Sequence, residues 1–332
     1  MHGQDAARRI DIIGAGIAGL WQALSFAEAG FAVTLHERGG ETQANSASRW
    51  AGGMLAPWCE AEGAEDVIMR LGRRSLDLWR EAVPEAVFNG TLVVSHPRDR
   101  ADFDRFARMT TGHRRLDADG VAMLEPALAG RFQQALFYPQ EGHVEPRVVM
   151  EALLRRLAAL PVTIRAAGGD PPPASCLTVD CRGLAARDRE PLRGVKGETL
   201  LVETAEISLS RPVRFLHPRW PLYVIPRAGN RFLLGATTVE TESEGVSVRS
   251  ALELLSAAYA LHPAFAEARI VEHGSALRPA YADNLPRIVV SDGRLTVNGL
   301  YRHGFLIAPA LAEIAVAHIA RGTHDNEVMQ WS

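Results

Sequence analysis

Cysteine is scarce in this chain: Cys59, Cys176 and Cys181 are the only three in 332 residues. None of them forms a CxxC pair, and an odd number gives no disulfide framework, so a reducing, cytoplasmic location is expected. Charge of one sign is also lacking. The 36 Lys and Arg against 39 Asp and Glu leave a net −3 with no basic block, which excludes an evident nucleic-acid surface. No run approaches the ~20 apolar residues that span a bilayer. The longest uncharged stretch, residues 12–27, is interrupted by Gly14, Gly16 and Gly19. Arg8 and Arg9 before that stretch imitate an export signal, but Glu28 and Glu37 follow it without a small-residue cleavage site. The histidines show neither HxxxH nor Cys/His spacing, so no metal site is expected.

What remains is ordinary globular material, 47% hydrophobic and 23% charged, long enough for about two domains. Residues 9–13 (Arg-Ile-Asp-Ile-Ile) predict a buried strand. Ile17, Leu20, Trp21, Leu24 and Ala27 then recur at helical spacing, and residues 32–36 predict a second strand. Strand, glycine turn, helix, strand is one right-handed βαβ unit and the start of a parallel sheet. Helices are expected over 66–82, 145–160 and 248–261, and a last one over 309–320 with Pro309 in its first turn. From Glu198 onward short strands alternate with Pro- and Gly-bearing turns, the texture of an antiparallel sheet.

The turn itself is Gly14-Ala-Gly16-Ile-Ala-Gly19, followed by Glu37 at the end of the second strand. Gly14 permits the tight turn, Gly16 lets backbone approach a pyrophosphate, and Gly19 lets helix and strand pack closely. The helix N-terminus offers free N–H groups and its positive dipole end to phosphates. Glu37 is placed to accept hydrogen bonds from ribose hydroxyls. FAD and NAD use the same turn. Its position at the N-terminus and the lack of a second glycine fingerprint favour FAD.

The chain resembles the D-amino-acid oxidase superfamily of FAD-dependent amine oxidases, and within it the glycine oxidases of the thiamine-biosynthesis type. The resemblance is carried by residues 13–19, Ala51-Gly-Gly-Met-Leu-Ala-Pro-Trp-Cys-Glu60, Gly142-His-Val-Glu-Pro146, Asp180-Cys-Arg-Gly183 and Val195-Lys-Gly-Glu198. It continues through Tyr223-Val-Ile-Pro-Arg227, Gly235-Ala-Thr237, Leu277-Arg-Pro279 and residues 301–309. It implies an α/β fold in which a Rossmann-type FAD-binding domain (1–80, 140–195, 275–332) interleaves with a substrate domain on a large antiparallel β-sheet (81–139, 196–274). The implied reaction is oxidation of glycine to an imine with O₂ reduced to H₂O₂, and the imine passes to thiazole formation. A D-amino-acid or sarcosine oxidase, or a flavin dehydrogenase with another electron acceptor, stays open. So do a homo-oligomer and a functional link to thiazole synthase.

The resemblance assigns Gly14, Ala15, Gly16, Gly19, Glu37 and Arg38 to the diphosphate and ribose of a non-covalently held FAD. Ser48, Ala51, Gly53 and Met54 would run along the flavin. Gly183 and the segment Tyr301, Arg302, His303, Gly304, Phe305, Leu306 and Ile307 would close the far wall. Glycine is mostly carboxylate and amine, and the planar fork of an arginine binds a carboxylate through two parallel hydrogen bonds. Of the two candidates, the Leu-Arg-Pro context selects Arg278 over Arg302. Tyr223 would help to hold that carboxylate and Met54 would line the pocket. The resemblance implies that hydride leaves the α-carbon of a neutral amine and that orientation carries the catalysis, so no general base is assigned.

Overall fold

The computed structural model describes residues 8–37, 46–166, 177–291 and 293–332. Arg38 and Cys176 lie outside the described residues. The first strand, β1 (Arg9–Ile13), runs into the glycine turn, α1 (Ile17–Glu28) follows, and β2 (Ala32–Glu37) returns parallel to β1 with Ile10 opposite Val33. Ile10, Ile12, Val33 and Leu35 are buried, as a strand covered on both faces requires.

This unit seeds a sheet of seven strands. Their order is Met329–Trp331, Arg287–Ser291, Arg294–Asn298, Leu177–Asp180, β1, β2, Val162–Ala166. All neighbours are parallel except the hairpin of 287–291 with 294–298. A second sheet has eight strands, in the order Arg269–Ala280, Arg193–Glu203, Arg231–Gly235, Leu222–Arg227, Val213–Phe215, Thr91–Val94, Gln134–Tyr138, Arg114–Asp117. Only the Val213–Phe215 and Thr91–Val94 pair in it is parallel. One core forms around the first sheet and its helices, another beneath the second sheet and the helix Val248–Leu261.

Two elements depart from the sequence expectation. The strand Arg269–Ala280 carries Gly274 and Pro279, residues of low strand propensity, and no strand pattern announces it. It is an edge strand, where a proline costs no ladder bond on its open side. Gly274 is needed because the Trp50 ring lies where its Cβ would stand. The last helix begins at Gly304, not near Pro309, and runs to Arg321 with the proline inside. Pro309 has no N–H for the carbonyl of Phe305 one turn earlier, which ordinarily ends a helix. Here α3 (Asp66–Ala82) supplies the missing donor: Trp79 Nε1–H bonds Phe305 O at 2.9 Å.

Trp79 is fully buried between Trp21 (ring centroids 5.0 Å apart, edge-on) and Phe305 (6.3 Å, stacked). Trp79→Phe keeps an aromatic ring and leaves the Phe305 carbonyl bare, so a loss of about 1–3 kcal/mol is expected in denaturant unfolding. An unchanged midpoint would mean that this carbonyl finds another donor. Among the described residues, Gly304–Arg321 is the only helix long and apolar enough to cross a membrane. Half of it is buried within the protein, with residues 305–312 in the core.

Candidate functional site

The glycine turn at the end of β1 opens onto a cavity of about 750 Å³ between the two sheets. Gly14 sits at φ +99°, and a Cβ there would lie 2.7 Å from Cys181 O. A Cβ at Gly19 would overlap the Gly14 carbonyl, so this residue sets the distance between α1 and the turn. Gly16 is the N-cap of α1 and makes no side-chain cap; its Cβ would stand 3.3 Å from Ser46 Oγ and 3.4 Å from Ser48 Oγ, closing the gap between turn and facing segment. The first turn of α1 therefore faces the cavity, with Ile17 N–H held by Ser48 Oγ at 3.1 Å. Glu37 borders the same cavity at the end of β2. A narrow glycine-lined slot, a helix N-terminus and a carboxylate one strand away suit a dinucleotide diphosphate and its ribose.

The cavity brings together nearly all the residues expected to form it. Gly14, Ala15, Gly16, Glu37, Ser48, Ala51, Gly53, Met54, Gly183 and the run 301–306 border it, as do Arg278 and Tyr223. Gly19 and Ile307 do not. Gly19 packs beneath the turn, and Ile307 is turned into the helical core. Because the last helix starts at Gly304, its positive end opens directly on the cavity rather than one and a half turns away. Tyr301 precedes it at φ +48°, held there by its N–H on Pro279 O at 3.0 Å, which ties this wall to the strand that carries Arg278.

Arg278 lies on the edge strand of the large sheet, and its guanidinium crosses the backbone of the neighbouring strand at Gly197. A Cβ at Gly197 would fall onto the guanidinium, 2.9 Å from Nε and closer still to Cζ and Nη2. This is the use of the glycine in Val195-Lys-Gly-Glu198, to which the sequence reading gave no role. Arg278 Nη1 donates to Thr237 O at 3.0 Å, and no carboxylate pairs with it among the described residues. Thr237 is fixed in turn by Glu198: its hydroxyl donates to Glu198 Oε2 at 2.9 Å and its N–H to Glu198 O at 3.1 Å. Burial draws the Arg278 guanidinium below its ordinary value, yet it stays charged at any working pH. A buried cation with donors to spare, aimed into a cavity, calls for an anion.

Tyr223 borders the same cavity, and its hydroxyl is already engaged. Arg214 Nη1 donates to it at 3.2 Å, and Glu60 Oε1 lies 3.5 Å away. Arg214 pairs across the strands with Tyr223, also binds Cys59 O (2.9 Å) and Glu62 (2.8 Å), and packs 4.7 Å over the Phe106 ring. Nothing in the local sequence marks Arg214, since cross-strand register alone places it there. Glu60, on α2 (Pro57–Glu60), reaches Arg302 Nη2 at 3.0 Å and His303 Nδ1 at 3.7 Å. Burial pushes the Glu60 carboxyl up, but Arg302, His303 and Arg214 together outweigh it and hold the group below its usual value. Burial lowers the His303 imidazole to about 4, so it is neutral at pH 7.

Behind this wall Glu141 is buried and accepts the Cys59 N–H at 2.7 Å. Burial raises its carboxyl to about 7. The unfolded chain ionises the same group near the usual carboxylate value, so between that value and 7 the native state holds the extra proton. Stability therefore falls as pH rises through this window, by about 3 kcal/mol in all. Glu141→Gln keeps the acceptor for Cys59 and removes the charge. Its unfolding midpoint is expected to match the parent at pH 5 and exceed it at pH 8; equal differences at both pH values would refute the assignment.

Comparison with known proteins bears on this geometry. A family model described as FAD dependent oxidoreductase, DAO, matches residues 9–318. The chain is 52% identical over 309 residues to a Rhizobium etli protein that bears the name thiamine biosynthesis oxidoreductase ThiO, spanning 92% of this chain and 94% of that one. It is 28% identical over 345 residues to the glycine oxidase of Pseudomonas aeruginosa, spanning 92% of each. The crystal structure of iminodiacetate oxidase from a Chelativorans species has the same fold, with a TM-score of 0.80 at 23% identity over 95% of this chain and 96% of that one.

Proposed function

The chain belongs to the DAO family of FAD-dependent oxidoreductases, and from that premise we propose that it oxidises glycine and other small amino acids to the imine. Electrons pass to O₂ to give H₂O₂, and the imine serves the thiazole of thiamine, in line with the name of the Rhizobium relative. The observation that carries the reading is Arg278, a buried guanidinium without a carboxylate partner among the described residues, in the same cavity as the glycine turn. It binds the substrate carboxylate through its spare N–H donors and so orients the α-carbon. Met54 and Tyr223 line the pocket beside it. Gly14, Gly16 and Glu37 hold the diphosphate and ribose of FAD, with Ser48, Ala51, Gly53, Gly183 and the 301–306 wall along the rest of the cofactor. FAD, when bound, supplies the acceptor for the hydride that leaves the α-carbon.

His303 is unprotonated at pH 7 but, with its imidazole lowered to about 4, only a weak base, and Glu60 is ion-paired to Arg302; no general base is assigned, and hydride is taken from an already neutral amine. A small substrate suits this end of the cavity because Glu60, Arg302 and Tyr223 fill its wall. In this reading the cofactor domain is built on the seven-stranded sheet and the substrate domain on the eight-stranded sheet, to which the strands Arg193–Glu203 and Arg269–Ala280 belong along their whole length. Cys59 and Cys181 are free thiols, as a cytoplasmic enzyme would have. The test is anaerobic bleaching of the flavin by glycine, sarcosine and D-alanine, followed by air. Bleaching by glycine, with colour and H₂O₂ returning in air, supports the proposal. Bleaching only by sarcosine or D-alanine moves the substrate, return of colour without H₂O₂ removes oxygen as the acceptor, and no bleaching refutes amino acid oxidation.

A further inference from the structure

The substrate end of the cavity is bordered by two arginines, and one of them is already neutralised. Arg302 Nη2 lies 3.0 Å from Glu60 Oε2, whereas among the described residues Arg278 donates to the main-chain oxygen of Thr237 and pairs with no carboxylate. Arg214, behind Tyr223, lies 2.8 Å from Glu62, which Arg105 also reaches at 2.6 Å. Counting Glu60, Arg302 and Arg278 leaves one positive charge, the complement of a single carboxylate. We propose that Glu60 restricts the pocket to amino acids with one carboxylate by holding Arg302 in an ion pair, so that amino dicarboxylates are refused. The proposal deepens the functional reading above and rests on Arg278 as the carboxylate site.

The physical argument concerns what a second carboxylate would meet. Its natural partner on this wall is Arg302, since neutral His303 offers no charge. To reach Arg302 it must approach the fixed Glu60 anion, or displace it and leave a buried carboxylate that has lost its ion pair and keeps only the influence of Arg214; both are costly in a partly dry site. Glu60 cannot readily swing to water, because its side chain is only 15% exposed and Tyr223 and His303 flank it. If Glu60 were made neutral, Arg302 would become a second uncompensated cation facing the same cavity. The pocket would then match a substrate such as iminodiacetate, with one carboxylate on Arg278 and the other on Arg302.

Two kinds of probe test this on the FAD-loaded enzyme. The first is binding without turnover: glycolate and diglycolate replace the amine nitrogen by oxygen, and their affinities are read from the shift in flavin absorbance. The second is the rate of anaerobic bleaching by glycine and by iminodiacetate. The parent enzyme is expected to prefer glycolate and glycine. In Glu60→Gln the diglycolate-to-glycolate affinity ratio should rise at least about tenfold, with the same trend in the bleaching rates. Glu60→Met should reproduce the shift, and the double variant Glu60→Gln/Arg302→Gln should abolish it. A parent enzyme that takes iminodiacetate as well as glycine overturns the proposal without any variant. So do Glu60 variants that load FAD but keep the parent ratio, and a gain that survives in the double variant. If neither amine bleaches the flavin, the oxidase reading fails on its own, and the two oxygen analogues still decide the role of Glu60.

Discussion

Arg278→Ala is expected to leave a folded, yellow protein whose kcat/KM for glycine is lower by roughly a hundredfold or more, a loss of about 3 kcal/mol, most of it in KM. FAD should stay bound, because the groups placed around the diphosphate and ribose lie on the other sheet. The effect is large because, among the described arginines that border the cavity, Arg278 alone has no carboxylate partner: Arg302 pairs with Glu60 and Arg182 with Asp180. Arg278→Lys should recover little, since a point charge on a flexible stem cannot reproduce the two parallel donors. Gly197→Ala offers a subtler version. The added methyl displaces the guanidinium rather than removing it, so about a tenfold rise in KM with normal stability and cofactor content is expected. Steady-state kinetics with flavin quantitation checks all three. Unaltered glycine kinetics in Arg278→Ala would remove the residue from the substrate site.

The second large effect is expected at the cofactor end. Gly19→Ala puts a methyl into the Gly14 carbonyl, and both partners in that overlap are backbone, so α1 must move away from the turn. The N–H groups of its first turn then lose their aim, and FAD affinity should fall by at least about tenfold, or ~1.4 kcal/mol. The apo-protein should also unfold at lower denaturant, because Leu20, Trp21 and Leu24 on the same helix are core residues. Fluorescence titration of the apo-protein with FAD measures the first consequence and chemical unfolding the second. If FAD affinity is unchanged while stability drops, the helix N-terminus does not set the cofactor's affinity.

The two regions differ in how much of them can be seen in the chain. The dinucleotide turn is local: strand, glycines, helix and acid all fall within residues 9–37, so their chemistry and spacing are written consecutively. Helical periodicity located residues 66–82 and 248–261 at the bounds the structure has, because an amphipathic helix is also a local pattern. The last helix was misplaced for the opposite reason. Whether Pro309 ends a helix depends on a donor for the Phe305 carbonyl, and that donor is Trp79, 226 positions away in sequence.

The substrate end follows the same logic. By resemblance, Arg278 and Tyr223 stand out in the sequence, but the residues that define their electrostatics do not. Arg214 reaches Tyr223 through strand register, Gly197 clears room for Arg278 through the pairing of two long strands, and Glu60 meets Arg302 across the two halves of the chain. Composition, periodicity and short motifs by themselves determined the class of fold and the nucleotide turn, because each is encoded by neighbours in sequence. Only the tertiary structure decided which arginine is paired and which is left free. Charge compensation depends on distances of about 3–4 Å between side chains that the chain itself separates by tens to hundreds of residues.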